Sequence, residues 1–106
     1  MRDVIERMKD FDYKISSKKQ APKNIRVSYS NVIEIVFNYP LANPVTLVFS
    51  NPNGWTLQSF VNAVREGYKL IYKNRLKFGV WGHSIADLAL EGFRRRGNKF
   101  FLFVGS

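Results

Sequence analysis

The feature that most constrains this chain is an interval almost empty of charge. Between residues 27 and 64 the only Asp, Glu, Lys or Arg is Glu34, although the protein of 106 residues carries a formal net charge of +9. All 17 basic residues lie outside it, in residues 2–26 and 65–99. Apolar residues without intervening charge must be covered by a core or by a second surface, because large exposed apolar patches are rare on soluble monomers. The fold is therefore expected to centre on this interval, with the basic stretches at its periphery.

Within the interval the period is two. Ile25, Val27 and Tyr29 alternate with Asn24, Arg26 and Ser28, and Ser30-Asn31 offers a turn. Ile33, Ile35, Phe37 and Tyr39 then share one face, and after the PLANP loop so do Val45, Leu47 and Phe49. The pattern predicts a three-stranded antiparallel meander. Its reverse faces carry Val32, Val36 and Val48, which makes these three the candidate self-association surface.

The period changes after the NPNG turn at 51–54. Thr56 is placed as a helix N-cap, with Trp55 and Phe60 flanking it at the spacing of a hydrophobic staple. Leu57, Phe60, Val61, Val64, Tyr68 and Ile71 form an apolar stripe, and Asn62, Arg65, Lys69 and Lys73 fall opposite. Gly67 lies beside the stripe, where its helix-propensity cost of about 1 kcal/mol is accepted for close packing. After KFGVWG, Ser84 and Asp87 have the spacing of a capping box, and Ile85, Leu88, Ala89 and Phe93 make a second helical stripe. Gly97 then reads as its C-terminal cap after Arg94, Arg95 and Arg96. A last strand over residues 99–104, KFFLFV, is apolar on both faces, which suits a central place in a sheet.

The expected class is thus α+β, in the order β-β-β-α-α-β: an antiparallel sheet of three meander strands plus a C-terminal strand, packed by two consecutive helices. Residues 1–24 read as a basic N-terminal arm and linker, and residues 25–106 as a single α+β domain. In the arm, Val4, Ile5 and Met8 suit a short helix over residues 2–10, whereas Phe11, Tyr13 and Ile15 alternate like a strand; a short helix or loosely attached arm is the preferred reading. Residues 16–24, SSKKQAPKN, lack periodicity and read as a linker with mobile lysines.

Composition narrows the function classes. There is no cysteine, so disulfides and thiolate metal sites are excluded and a reducing intracellular compartment, cytoplasm or nucleus, is the natural expectation. The N-terminal residues mix charge with apolar side chains, unlike a signal peptide, and the apolar runs are far shorter than the roughly 20 residues that span a bilayer. A lone histidine cannot supply a zinc site, and no glycine-rich loop is followed by Lys-Ser/Thr, so neither a metal, a cofactor nor a small-molecule substrate is expected. His83 with Asp87 four residues on is the one arrangement resembling an acid/base pair. The structural alternative is preferred: Asp87 caps a helix, and His83 bonds a loop carbonyl. A non-catalytic protein is expected.

The basic residues remain. Arg65, Lys69, Lys73, Arg75 and Lys77 on the first expected helix, with Arg94, Arg95, Arg96 and Lys99 at the end of the second, would form a stripe able to contact DNA or RNA phosphates without reading sequence. Tyr72, Phe78 and Trp81 lie near enough in sequence to stack on bases, although such aromatics more often belong to a core. The bland reading is a solvated helix face and an arginine triplet complementing a helix dipole.

The segments GWTLQSFVNAVREGYKLIYKN and FGVWGHSIADLALEGF, within residues 54–93, resemble those of small uncharacterised proteins of giant DNA viruses of the Marseillevirus type. The resemblance covers under half the chain and transfers no functional residue. It implies a viral protein working in host cytoplasm, nucleus or virion. Two functions are expected: a small interaction or structural protein forming a homodimer through the charge-poor sheet surface, or a nucleic-acid-binding protein using the basic stripe. Dimerisation would serve both by raising avidity.

Overall fold

Hydrogen bonding at Thr56 marks where the sheet gives way to the helix. In the computed structural model, which describes residues 3–6 and 12–106, the Thr56 hydroxyl accepts from Ser59 N–H at 3.2 Å while Ser59 Oγ accepts from Thr56 N–H at 2.9 Å. This reciprocal box satisfies donors that no preceding turn can reach. In chain order the elements are β1 (Asp3–Glu6), β2 (Tyr13–Lys14), β3 (Arg26–Ser28), β4 (Val32–Phe37), β5 (Val45–Ser50) and β6 (Trp55–Thr56). There follow α1 (Leu57–Lys73), α2 (Arg75–Phe78), a 3₁₀ turn (Ile85–Asp87), β7 (Ala89–Arg96) and β8 (Lys99–Gly105).

The protein is α+β, with α1 lying against one face of a mixed sheet. The sheet runs β1-β7-β8-β4-β5, with β2 also pairing to β7, and β3 with β6 makes a separate two-stranded ribbon. The β4–β5 hairpin has the expected faces: Ile33 sits opposite Phe49, Ile35 opposite Leu47 and Phe37 opposite Val45. Strand β8 occupies the expected central place, antiparallel to β7 and parallel to β4. The α1 stripe is buried as its period requires, with Phe60, Val64, Tyr68 and Ile71 at 0% exposure. Phe60, Phe93 and Phe100 close the core with ring centroids 4.9 to 5.3 Å apart.

Several expectations are corrected, the first being the antiparallel sheet, which is mixed because β8 runs parallel to β4. The meander has two strands of the expected three, because β8 takes the edge of β4 that β3 would need and Asn98 C=O accepts from Glu34 N–H at 2.8 Å. Strand β3 pairs instead with β6. The second long helix is replaced by one 3₁₀ turn and strand β7; the Ser84–Asp87 box is real, with Ser84 N–H donating to Asp87 Oδ2 at 3.0 Å, but closes only that turn. The cause of the misreading is a β-bulge. Leu90 lies opposite Val104 and Gly92 opposite Phe103, so Glu91 is an extra residue that shifts the phase of alternation. Leu90 and Phe93, both buried, are thereby three residues apart, a spacing that fits a helix and not a regular strand. Gly97 (φ 61°) consequently opens a two-residue hairpin turn with Asn98, where a left-handed conformation favours glycine.

The N-terminal expectations also change. At Asp3–Glu6 a strand paired to β7 stands where a short helix was expected, and the rest of that helix lies outside the described residues. The end of the expected arm and the expected linker are both tied down: Tyr13 and Ile15 of the arm and Ala21 of the linker are buried, and Ala21 N–H donates to Gln58 Oε1 at 2.6 Å.

Gly67 performs the close approach its position suggested. A Cβ there would meet the ring of Phe37, with one Cε 2.8 Å away, and Phe37 is itself fully buried. Gly67→Ala is therefore expected to destabilise by about 1–3 kcal/mol through overpacking, outweighing a gain of about 1 kcal/mol in helix propensity. Urea denaturation of the variant measures it, and an unchanged or raised midpoint would contradict the packing described.

Candidate functional site, the sheet face opposite the helix

Alternation along each strand decides what the second sheet face carries. Ile33, Ile35, Phe37 and Phe100 point to α1, so their neighbours Val32, Glu34, Val36, Lys99 and Phe101 point away from it. Across β5 the same face holds Thr46, Val48 and Ser50, opposite Val36, Glu34 and Val32. The three residues of the expected association surface thus share one face. Val48 is 63% exposed and Val32 46%, while Val36 is half-buried.

On β7 the face continues with Arg94, opposite Phe101, and Arg96, opposite Lys99. The Arg94 guanidinium lies 4.3 Å from the centroid of the Phe101 ring, and Lys99 Nζ lies 5.9 Å from the same ring. Phe101 and Phe103, half-buried on this face, were absent from both expected residue sets. The signal was the alternation of KFFLFV, which puts Lys99, Phe101 and Phe103 together once the strand is central.

The nine basic residues of the expected stripe do not share a surface. Arg65 is 6% exposed: residues 14–19 pass over it, and its Nε and Nη1 donate to the carbonyls of Lys14 at 3.2 Å and Lys19 at 2.9 Å. Burial holds its pKa below the ordinary arginine value, partly opposed by Tyr13. It binds the N-terminal segment to α1. Arg95, on the helix-facing side of β7, donates to Gly97 C=O at 2.8 Å and Val27 C=O at 2.6 Å and so joins the hairpin to β3. Lys69 pairs with Glu66 at 3.3 Å on exposed helix surface. Lys73 ends α1, and Arg75 and Lys77 lie on α2, with Lys77 Nζ 5.5 Å from the Phe78 ring. Arg94, Arg96 and Lys99 are across the sheet from these, on the face with Val36 and Phe101.

His83 takes a partner other than the two considered. Its Nε2 lies 2.9 Å from Tyr39 Oη, which also contacts Ser106 Oγ at 2.7 Å, and the Tyr39, Trp81 and His83 rings cluster with centroids 5.7 to 5.9 Å apart. Asp87 is engaged by Ser84 N–H, as capping requires. Two helix tyrosines brace the cluster: Tyr68 Oη–H donates to Tyr39 C=O at 2.7 Å and Tyr72 Oη–H to His83 C=O at 3.1 Å. These bonds link α1 to both loops. Among the described residues no group of three or more His, Cys, Asp and Glu is placed to hold a metal ion, and no helix is long and apolar enough to cross a membrane.

Burial pushes the Tyr68 and Tyr72 phenols above their ordinary pKa of 10.0, aided at Tyr68 by the neighbouring phenolic groups of Tyr72 and Tyr39. A phenol whose folded pKa is raised contributes stability that is fully present below the unfolded pKa and is lost as pH rises toward the folded value. Stability to urea is therefore expected to hold up to about pH 10 and to fall above it. Tyr68→Phe should cost about 1–2 kcal/mol at neutral pH and flatten the alkaline fall. A midpoint in urea that stays constant through about pH 11 would contradict the burial of these hydroxyls.

Comparison of the chain with protein-family models, with curated proteins and with solved structures finds no match.

Proposed function

We propose that this is a non-catalytic interaction protein that self-associates through the charge-poor surface of its sheet. One observation carries the reading. In a protein of net charge +9, the hairpin β4–β5 bears a single charged residue, Glu34, and yet exposes Val32 and Val48 on the face away from α1. Like-charged copies repel at long range, so contact between them is least opposed where charge is absent. Covering that face would remove Val32, Val36, Val48 and Phe101 from water together, each Å² contributing on the order of 25 cal/mol. The cysteine-free composition supports an intracellular compartment, cytoplasm or nucleus. If the likeness to Marseillevirus-type proteins reflects descent, that compartment is the virion or infected host cell.

A second reading draws on the other half of the same face. Arg94 stacked on Phe101, with Lys99 beside the ring, combines an aromatic platform with cations, the pairing by which sheets hold single-stranded nucleic acid. The original nine-residue stripe is replaced in this reading by Arg94, Arg96, Lys99 and Phe101.

Light scattering over a wide range of protein concentration tests the first reading. A dimer is expected, and Val48→Lys should weaken it by placing like charges at the contact; a wild-type protein that stays monomeric throughout would overturn it. The second reading is tested by titrating a labelled random-sequence single strand across a salt series. Affinity that falls steadily with salt and is reduced by Arg94→Ala supports it, and no binding at low salt rejects it.

A further inference from the structure

Among the described residues, strand β5 ends the sheet and only half of its backbone groups face a neighbouring strand. Asn51 N–H donates to Asn31 C=O at 2.8 Å, and the β4–β5 register runs without a shift from Val32 opposite Ser50 to Phe37 opposite Val45. In an antiparallel ladder, residues that exchange hydrogen bonds with the neighbouring strand alternate with residues whose N–H and C=O point away. Continuing the parity from Asn51, Phe49, Leu47 and Val45 bond to β4. Ser50, Val48 and Thr46 direct their N–H and C=O outward at the sheet edge.

Edge strands are normally protected by charge, by an internal proline or by a bulge. Strand β5, VTLVFS, has none of these between Pro44 and Pro52. Its helix-facing residues Val45, Leu47 and Phe49 are also only half-buried, so α1 leaves this margin of the core incompletely covered.

We infer that β5 pairs antiparallel with β5 of a second copy, in a register centred on Val48, to form one sheet continuous through both molecules. The inference rests on the self-association proposed above and moves the contact from the face of the β4–β5 hairpin to its β5 edge, which leaves Val36 and Phe101 uncovered. A two-fold axis perpendicular to the sheet keeps both helices on the same side, which requires helix-facing residues to oppose helix-facing residues. Centring on Val48 meets that condition. It sets Val48 against the second copy's Val48 and Thr46 against the second copy's Ser50, so that every outward N–H and C=O of the strand finds a partner. It also sets Leu47 beside the second copy's Phe49, extending the core over the half-covered margin. Centring on Leu47 instead would bring Ser50 opposite Pro44, which has no N–H to give. No charged residue lies on β5, so the two-fold contact brings no like charges together despite the net charge of +9.

The chain has no cysteine, which allows a clean crosslinking test. In the proposed pair the two Val48 Cα atoms are about 5.5 Å apart, within disulfide reach, while the two Val36 Cα atoms are separated by three strand spacings across the sheet and four residues along it, roughly 20 Å. Under mild oxidation of the full chain, V48C is expected to form a disulfide-linked dimer and V36C to remain uncrosslinked. Thr46→Pro, which removes an outward N–H while leaving the bonds to β4 in place, should raise the dimer dissociation constant roughly tenfold or more. If V36C crosslinks and Thr46→Pro dimerises like wild type, the copies meet face to face, and edge pairing is overturned while self-association stands. If wild type is monomeric at every concentration and V48C fails to crosslink, both are overturned.

Discussion

The parallel pairing of β4 with β8 is the contact on which the rest of the structure depends. It joins two hairpins distant in sequence, β4–β5 and β7–β8, by placing Ile35 beside Phe100 and Val36 beside Phe101. Neither hairpin would be stable alone in water, since a two-stranded sheet exposes too much of what it should bury. Together they offer α1 an apolar floor on which Phe60 meets Phe93 and Phe100 of one hairpin and Tyr68 meets Phe37 of the other, with ring centroids 5.1 Å apart. Because the strands β4 and β8 run parallel, the chain must cross between them, and α1 supplies that crossing while covering the helix-facing side. The cost of closing so long a loop grows only slowly with its length. Among the described residues, the same arrangement leaves the other sheet face without a covering helix and leaves β5 at the end.

What the sequence disclosed follows from the range of the interactions involved. Helix α1 was legible because its determinants are local: Thr56 at the cap, a stripe from Leu57 to Ile71, and Gly67 against a large partner. The faces of β4 and β5 were legible because strict alternation leaves no second choice of side, so Val32, Val36 and Val48 were grouped correctly. Strand β7 was hidden by the bulge at Glu91, which broke alternation at the point where it would have distinguished a strand from a helix. That error moved Arg94 and Arg96 from a helix end to the sheet face opposite α1, and it turned Arg95 from a surface cation into a clamp on Val27. Arg65 was misread for a different reason. Its helical position is on the flank of the apolar stripe, and only the passage of residues 14–19 over α1, a contact about 50 residues away in sequence, encloses it. The pairing of β3 with β6 is equally non-local.

The confinement of charge acquires a structural meaning from these placements. The charge-poor interval supplies β4, β5 and the first turns of α1, and the positive residues surround it: some on the helix layer, some as internal clamps, some on the far side of the sheet near Phe101. A molecule so arranged repels its own copies over most directions of approach. The edge of β5 is the exception, uncharged and carrying backbone groups that another β5 can satisfy. Self-association and nucleic-acid contact would then use separate parts of the sheet, the edge and the Arg94–Phe101 side.

Amide hydrogen exchange along β5, followed as a function of protein concentration, tests this account most directly. The N–H groups of Leu47 and Phe49 bond to β4 and should exchange slowly at every concentration. Those of Thr46, Val48 and Ser50 should exchange quickly in dilute solution and slow markedly as concentration rises. Exchange at Val48 that is rapid at all concentrations, or equally slow at all of them, would contradict the pairing of β5 with a second copy.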